Sequence, residues 1–231
     1  MSAKILLRKT SLVDYPGRVS SVFFFSGCNL RCPWCHNREL VTGEAAGLIS
    51  VEDALSHAHK RKAVLGGLTL SGGEPCLYAE LPALITEVKK LSLLVKLDTN
   101  GTFPAMLENI LSREETRPNY IALDLKMAPA RYGELGGKLI QSAALIRESG
   151  VEHEYRTIAL PADFITDTDI EALAPLAGSA PWYFRPFRGT GCLDPAWDSL
   201  EENAARAKTR TEALAAKARE LGKEALVKSF L

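Results

Sequence analysis

The 231-residue sequence predicts an α/β fold, a parallel sheet with helices on its faces. Three observations lead there. Short apolar runs of strand length alternate about six times with amphipathic stretches of helix length. Polar and glycine-rich segments fall at or just past the predicted strand ends, where α/β folds gather their sites. No low-complexity tract or long linker interrupts the pattern. The chain is therefore expected to be one domain over 1–231, with a lead-in over 1–17, a core over 18–190 and a C-terminal helical segment over 191–231.

The elements follow in order. Val19–Phe25 is rich in Val and Phe, and predicts a strand leading into a cysteine loop. Val51–Val64 predicts a helix, with Ser50 as its N-cap and Asp53 three residues on. Leu68–Leu70 predicts a short strand ending in Ser71-Gly72-Gly73, and Leu81–Leu91 the helix after it. Leu94–Leu97 is the next strand, stopped by Asp98-Thr99-Asn100-Gly101, and Pro104 suits the first turn of a helix to Leu111. Tyr120–Leu125, His153–Leu160 and Trp182–Phe187 complete six strands. Helices are expected over Lys138–Glu148, closed by Gly150, around Asp167–Leu176, and over Glu201–Leu221. Two architectures fit: a doubly wound open sheet and an incomplete βα-barrel, since a full eight-unit barrel takes about 250 residues.

Composition excludes several classes. Lys+Arg and Asp+Glu balance at 28 each, so the basic excess of a nucleic-acid or membrane-surface binder is missing. No apolar run is long enough to span a bilayer, and the apolar stretches near the N-terminus are too short for a signal-peptide core. A cytoplasmic protein is expected.

Three of the five cysteines, Cys28, Cys32 and Cys35, lie within eight residues at C-x3-C-x2-C spacing. In a reducing compartment such a triplet is a metal site or catalytic centre rather than a disulfide framework. Thiolates suit iron–sulfur clusters and zinc. Three from one loop can hold three corners of a [4Fe–4S] cube and leave the fourth iron open to a substrate. Structural zinc with His36 and c-type haem at Cys32-Pro33-Trp34-Cys35-His36 are the rivals. Adjacent side chains rarely converge on one metal, and haem leaves Cys28 unexplained. Cys76 and Cys192 stand alone, as buried apolar cysteines do. His57 and His59 sit on the predicted helix and are expected in solvent, while His153 has no assigned role.

The cysteine loop, with an aromatic before its third cysteine and Gly72-Gly73-Glu74-Pro75 after the second strand, resembles the radical S-adenosylmethionine (SAM) superfamily. Thr10–Gly17, Leu97-Asp98-Thr99-Asn100-Gly101 and Leu123-Asp124-Leu125-Lys126 resemble its glycyl-radical-enzyme activating proteins. Within these, the chain is similar to activators of anaerobic ribonucleoside-triphosphate reductase and of pyruvate formate-lyase. The likeness covers nearly the whole chain and weakens after about Gly189.

The resemblance implies an incomplete (βα)6 TIM-type barrel and a [4Fe–4S] cluster on Cys28, Cys32 and Cys35, with SAM on the open iron. It implies SAM contacts from Trp34, Ser71, Gly72, Gly73, Glu74, Asp98, Asn100, Lys126, Arg156 and Arg188. It further implies a monovalent cation at Asp98, Thr99 and Asp124. The two aspartates need a neutralising partner, and Lys126 is the one visible in sequence. Related activators carry a histidine where this chain has Arg188, a side chain that donates but shuttles no protons. The implied chemistry is reductive cleavage of SAM, with the resulting 5′-deoxyadenosyl radical taking hydrogen from a glycine of a partner glycyl radical enzyme. Anaerobic ribonucleotide reductase is the expected partner, and flavodoxin or ferredoxin the electron donor. The alternatives are a radical SAM enzyme acting on a small molecule and a non-catalytic iron–sulfur or zinc module.

Overall fold

The computed structural model describes residues 3–161, 164–200 and 204–228. They form two compact units. The first comprises the described residues up to Arg31, with Asn37–Thr99 and Ala105–Ile121; the second comprises Cys32–His36, Asn100–Pro104 and the described residues from Ala122 onward.

In the first unit, β1 (Lys4–Ser11), β2 (Ser20–Phe25), β3 (Ile49–Ser50), β4 (Gly67–Gly72) and β5 (Leu94–Thr99) run side by side in the order β3-β1-β2-β4-β5. The pairs β2–β4 and β4–β5 are parallel, whereas β1 is antiparallel to both β2 and β3. Helices α1 (Arg38–Thr42), α2 (Val51–Arg61), α3 (Leu81–Lys90) and α4 (Pro104–Leu111) lie in the connections. Phe23, Phe25, Leu68, Leu70, Ile85 and Leu97 are fully buried and make the core. Ser50 caps α2 as the sequence predicts, its Oγ accepting the Asp53 N–H at 3.0 Å.

In the second unit, β6 (Tyr120–Asp124) contributes its last three residues, followed by β7 (Glu152–Ala159), β8 (Trp182–Pro186) and β9 (Ala225–Val227). Both β7–β8 and β8–β9 are parallel. Helices α5 (Gly136–Glu148), α6 (Asp167–Ala177) and α7 (Ala204–Glu220) connect them around a core of Tyr155, Trp182 and Phe184. The class is α/β with a mostly parallel sheet and flanking helices, as predicted. The six predicted strands fall within about two residues of their expected limits. The predicted start of the last helix at Glu201 lies outside the described residues. None of the described helices is long and apolar enough to cross a membrane.

Three strands and one helix were not expected. β1 occupies the supposed lead-in, and only its paired register with Phe23–Phe25 of β2 reveals it. β3 and β9 are two and three residues long, and α1 five, too short to show a period. His57 is half-buried with an unpartnered Nε2, a correction to its expected place in solvent, while His59 is exposed. His153 stays local: its Nδ1 meets the Val151 carbonyl at 2.7 Å and its ring stands edge-on to Tyr155.

The turn entering α6 is held by Asp169, whose carboxylate is buried. It accepts the N–H groups of Ala128 (2.8 Å) and Thr166 (3.0 Å) and an ion pair from Arg131 (2.8 Å). Replacing Asp169 by Ala leaves these donors without their acceptor, at a cost of roughly 2–4 kcal/mol. Denaturant unfolding of Asp169→Ala is expected to show that loss.

Candidate active site

In the first unit, the exit of β2 and the exit of β4 are bound to each other by backbone. The Gly73 N–H donates to the Phe25 carbonyl and the Glu74 N–H to the Gly27 carbonyl, both at 2.9 Å. That approach requires glycine. A Cβ on Gly73 would lie 1.9 Å from the Gly27 carbonyl oxygen, and one on Gly72, which sits at φ +111°, would lie 2.4 Å from the Phe25 nitrogen. The Gly72 carbonyl accepts from Asn37 Nδ2 at 2.9 Å. The Gly-Gly pair thus serves first to seat the start of the cysteine loop against the second strand's end.

Glu74 is 1% exposed, and its Oε1 accepts the Cys76 N–H (3.0 Å) and the Thr99 hydroxyl (2.8 Å). Ser71 donates to Asp98 Oδ2 at 3.0 Å, and Lys96 ion-pairs with Asp98 Oδ1. Asp98, Thr99, Ser71 and Glu74 are therefore gathered at neighbouring strand ends, as their positions in the sequence predict. Cys28 begins the loop here. Its Sγ accepts the Leu30 N–H at 3.4 Å, and its carbonyl accepts from Arg31 at 2.5 Å.

The second unit holds the rest of the loop. The Cys35 N–H closes a turn on the Cys32 carbonyl at 3.0 Å. Trp34 is 4% exposed, its ring packed on Phe164 and Trp197 with centroids 4.9 and 5.3 Å away. His36 stands edge-on to Phe187, and the Asp194 N–H donates to the Pro33 carbonyl at 2.9 Å. Burial and the nearby Arg188 charge lower the His36 pKa. The segment after β8, where the family likeness fades, is thus what packs on the loop. Phe164 and Trp197 were not singled out from sequence because they lie far from the motif in the chain.

Asp124 ends β6 with both oxygens engaged: Arg156 reaches Oδ1 at 2.8 Å, and Lys126 reaches Oδ2 at 2.8 Å. Burial would raise the Asp124 pKa, but the Arg156 and Lys126 charges overcome it and hold the carboxyl well below the usual range. Lys126 is pushed up despite burial, by Asp124 first and by Cys32 next. Tyr132, whose hydroxyl accepts the Lys126 N–H at 3.2 Å, is pushed up to about 12, chiefly by burial. Asn100 turns its Oδ1 inward to the Thr102 N–H and hydroxyl. Arg188 is exposed, and its carbonyl accepts from Cys192 Sγ. Sequence reasoning offered Lys126 as partner to both aspartates. The structure gives Lys126 and Arg156 to Asp124, and Lys96, unnoticed inside an apolar strand, to Asp98.

None of the five cysteines is in a disulfide; Cys28, Cys32 and Cys35 are partly exposed, Cys76 and Cys192 buried. Among the described residues no three His, Cys, Asp or Glu side chains converge as on a single ion. A cube asks for one thiolate per iron rather than three on one atom, and a donor set of three cysteines outside any disulfide suits it.

An α/β fold carrying a three-cysteine loop and charged strand ends suits an iron–sulfur class of protein. The radical SAM superfamily profile matches residues 22–174, and the chain belongs to that superfamily. Members use a [4Fe–4S] cluster and SAM as an oxidoreductase pair. A relative in Methanocaldococcus jannaschii, named provisionally as a glycyl-radical enzyme activating enzyme, is 30% identical over 71% of this chain and 70% of its own. Pyruvate formate-lyase 1-activating enzyme of Escherichia coli is 34% identical over 49% of this chain, which spans 48% of that enzyme's length. In fold, a radical SAM methyltransferase from Sphaerobacter thermophilus aligns with TM-score 0.63 at 16% identity, over 93% of this chain and 67% of its own. Streptococcus suis SuiB with its precursor peptide SuiA aligns at 0.66 and 14% identity, over 90% and 48%. These last two support the partial-barrel fold alone.

Two outcomes test the site. Burial, with Glu74 beside it, raises the Cys76 thiol well above the ordinary range, and burial with Asp198 pushes Cys192 up to about 11. Brief iodoacetamide treatment of the folded, cluster-free protein should alkylate Cys28, Cys32 and Cys35 and spare these two, as read by peptide mass spectrometry. The depressed Asp124 pKa stabilises the fold above the unfolded carboxylate value near about 3.9, and that contribution is lost as pH falls toward the folded value. Asp124→Asn should therefore flatten the acid limb of a stability–pH curve.

Proposed function

We propose that Cys28, Cys32 and Cys35 hold a [4Fe–4S] cluster with one iron left open to SAM, and that the protein activates a glycyl radical enzyme. The observation that carries this is the backbone junction of Gly27 with Gly73 and Glu74, which ties the start of the three-cysteine loop to the family's Gly-Gly-Glu-Pro turn. When bound and reduced, the cluster supplies the electron that splits SAM into methionine and the 5′-deoxyadenosyl radical that takes hydrogen from the substrate glycine.

The chain's own residues bind, orient and shield. Ser71, Gly72 and Gly73 face the SAM ammonium with a hydroxyl and backbone carbonyls, and Glu74 adds negative charge from beneath the turn. Asp98 and Asn100 mark the next strand end and receive the polar side of the cofactor. Arg156, oriented by Asp124, and Lys126 offer positive charge to the SAM carboxylate. Trp34 keeps its ring in the aromatic stack with Phe164 and Trp197 and presents backbone to adenine, excluding water from that side of the loop. Arg188 donates to a ribose or carboxylate oxygen and holds its proton throughout.

The partner is a glycyl radical enzyme, and anaerobic ribonucleotide reductase is the one to test first, on motif likeness. A cytoplasmic location and flavodoxin or ferredoxin as donor belong to the same proposal. The test is anaerobic reconstitution with iron and sulfide, followed by dithionite, SAM and the partner. Formation of 5′-deoxyadenosine together with a glycyl doublet in the partner's EPR spectrum is expected, and Cys32→Ala should abolish both. Release driven by a metabolite without any partner would overturn the activase assignment. A colourless protein holding zinc would overturn the cluster.

A further inference from the structure

The family likeness implies a monovalent cation at Asp98, Thr99 and Asp124, yet each of the two carboxylates, taken within its own unit, already has its counter-charge. Asp98 accepts the Lys96 ammonium on Oδ1 and the Ser71 hydroxyl on Oδ2. Asp124 accepts Arg156 Nε (2.9 Å) and Nη2 (2.8 Å) on one oxygen and Lys126 on the other. Every carboxylate oxygen in this set already has a donor that carries a proton, and three of the donors carry a full positive charge.

Lys96 is the unusual member. It sits within β5, two residues before Asp98, so the two side chains emerge on the same face of the strand. Its side chain is 3% exposed, and Asp98's is 11%. A buried ammonium persists only with a buried anion beside it, and the reverse holds for Asp98. A second cation against Asp98 would face Lys96 within a few ångströms in a site with little water to screen them. The structure thus supplies, covalently, the charge that a bound ion would bring.

We propose that Lys96 is a fixed counter-ion standing in for a monovalent cation: it positions Asp98 at the strand end, and this chain binds SAM without potassium or sodium. This rests on the SAM-binding assignment above. Lys96 acts through Asp98, so it is a positioning residue.

The decisive measurement is the SAM dissociation constant of the reconstituted protein in potassium chloride and in tetramethylammonium chloride at equal ionic strength. The wild type should bind equally, within about twofold, in both. Lys96→Met, which takes the ammonium away from Asp98, should bind about tenfold more weakly or worse in tetramethylammonium and recover when potassium is added. Lys96→Arg should keep the wild-type indifference to salt. Thermal unfolding of the cluster-free protein gives a readout independent of loading: potassium should raise the midpoint of Lys96→Met and leave the wild type unmoved. A wild-type affinity that rises saturably with potassium would overturn the proposal, as would a Lys96→Met protein equal to wild type in tetramethylammonium. If Lys96→Met does not fold, the wild-type salt comparison alone decides. Wild type that binds no SAM in either salt points to failure of the cofactor assignment, and the unfolding comparison then still judges Lys96.

Discussion

The contact on which the rest of the first unit's site depends is the approach of Gly73 to the Gly27 carbonyl. Two strands deliver their chains to one place, and only a residue without Cβ lets the second pass under the first. Once that approach is made, two backbone hydrogen bonds set the height of the cysteine loop relative to the turn. Glu74 then falls inward, where it caps the turn through Cys76 and receives Thr99. The loop's first cysteine is thereby placed by backbone geometry rather than by any side chain of its own.

Electrostatics organise the other strand ends. Asp98 and Asp124 each emerge at the C-terminal edge of a parallel strand, and each is neutralised within its own unit by a cation close in sequence or on the adjacent strand. Burying a lone carboxylate would cost several kcal/mol, so Lys96, Lys126 and Arg156 are as much part of the fold as the hydrophobic residues around them.

Much of this was legible in the chain. Residues such as Val22, Phe23 and Leu68 through Leu70 have the bulk and spacing of buried strands, and Asp98-Thr99-Asn100-Gly101 announces a strand end by its turn chemistry. The cysteine spacing and the Gly-Gly-Glu-Pro turn carry the family likeness without help from the fold. What escaped notice lacked a local signature. β1 has charges among its apolar residues and is a strand because β2 pairs with it. Lys96 looks like a solvated charge until its neighbour two residues on is placed on the same face. Phe164, Phe187 and Trp197 come to the loop from remote segments, and no periodicity forecasts that meeting.

The aromatic stack has one more consequence. The chain has three tryptophans, and two of them, Trp34 and Trp197, lie 5.3 Å apart in the second unit, one of them between the second and third cysteines of the loop. Two of the molecule's three indole emitters therefore sit together at this loop. An iron–sulfur chromophore seated there absorbs where tryptophan emits, so the protein carries its own optical gauge of whether the loop is loaded or bare.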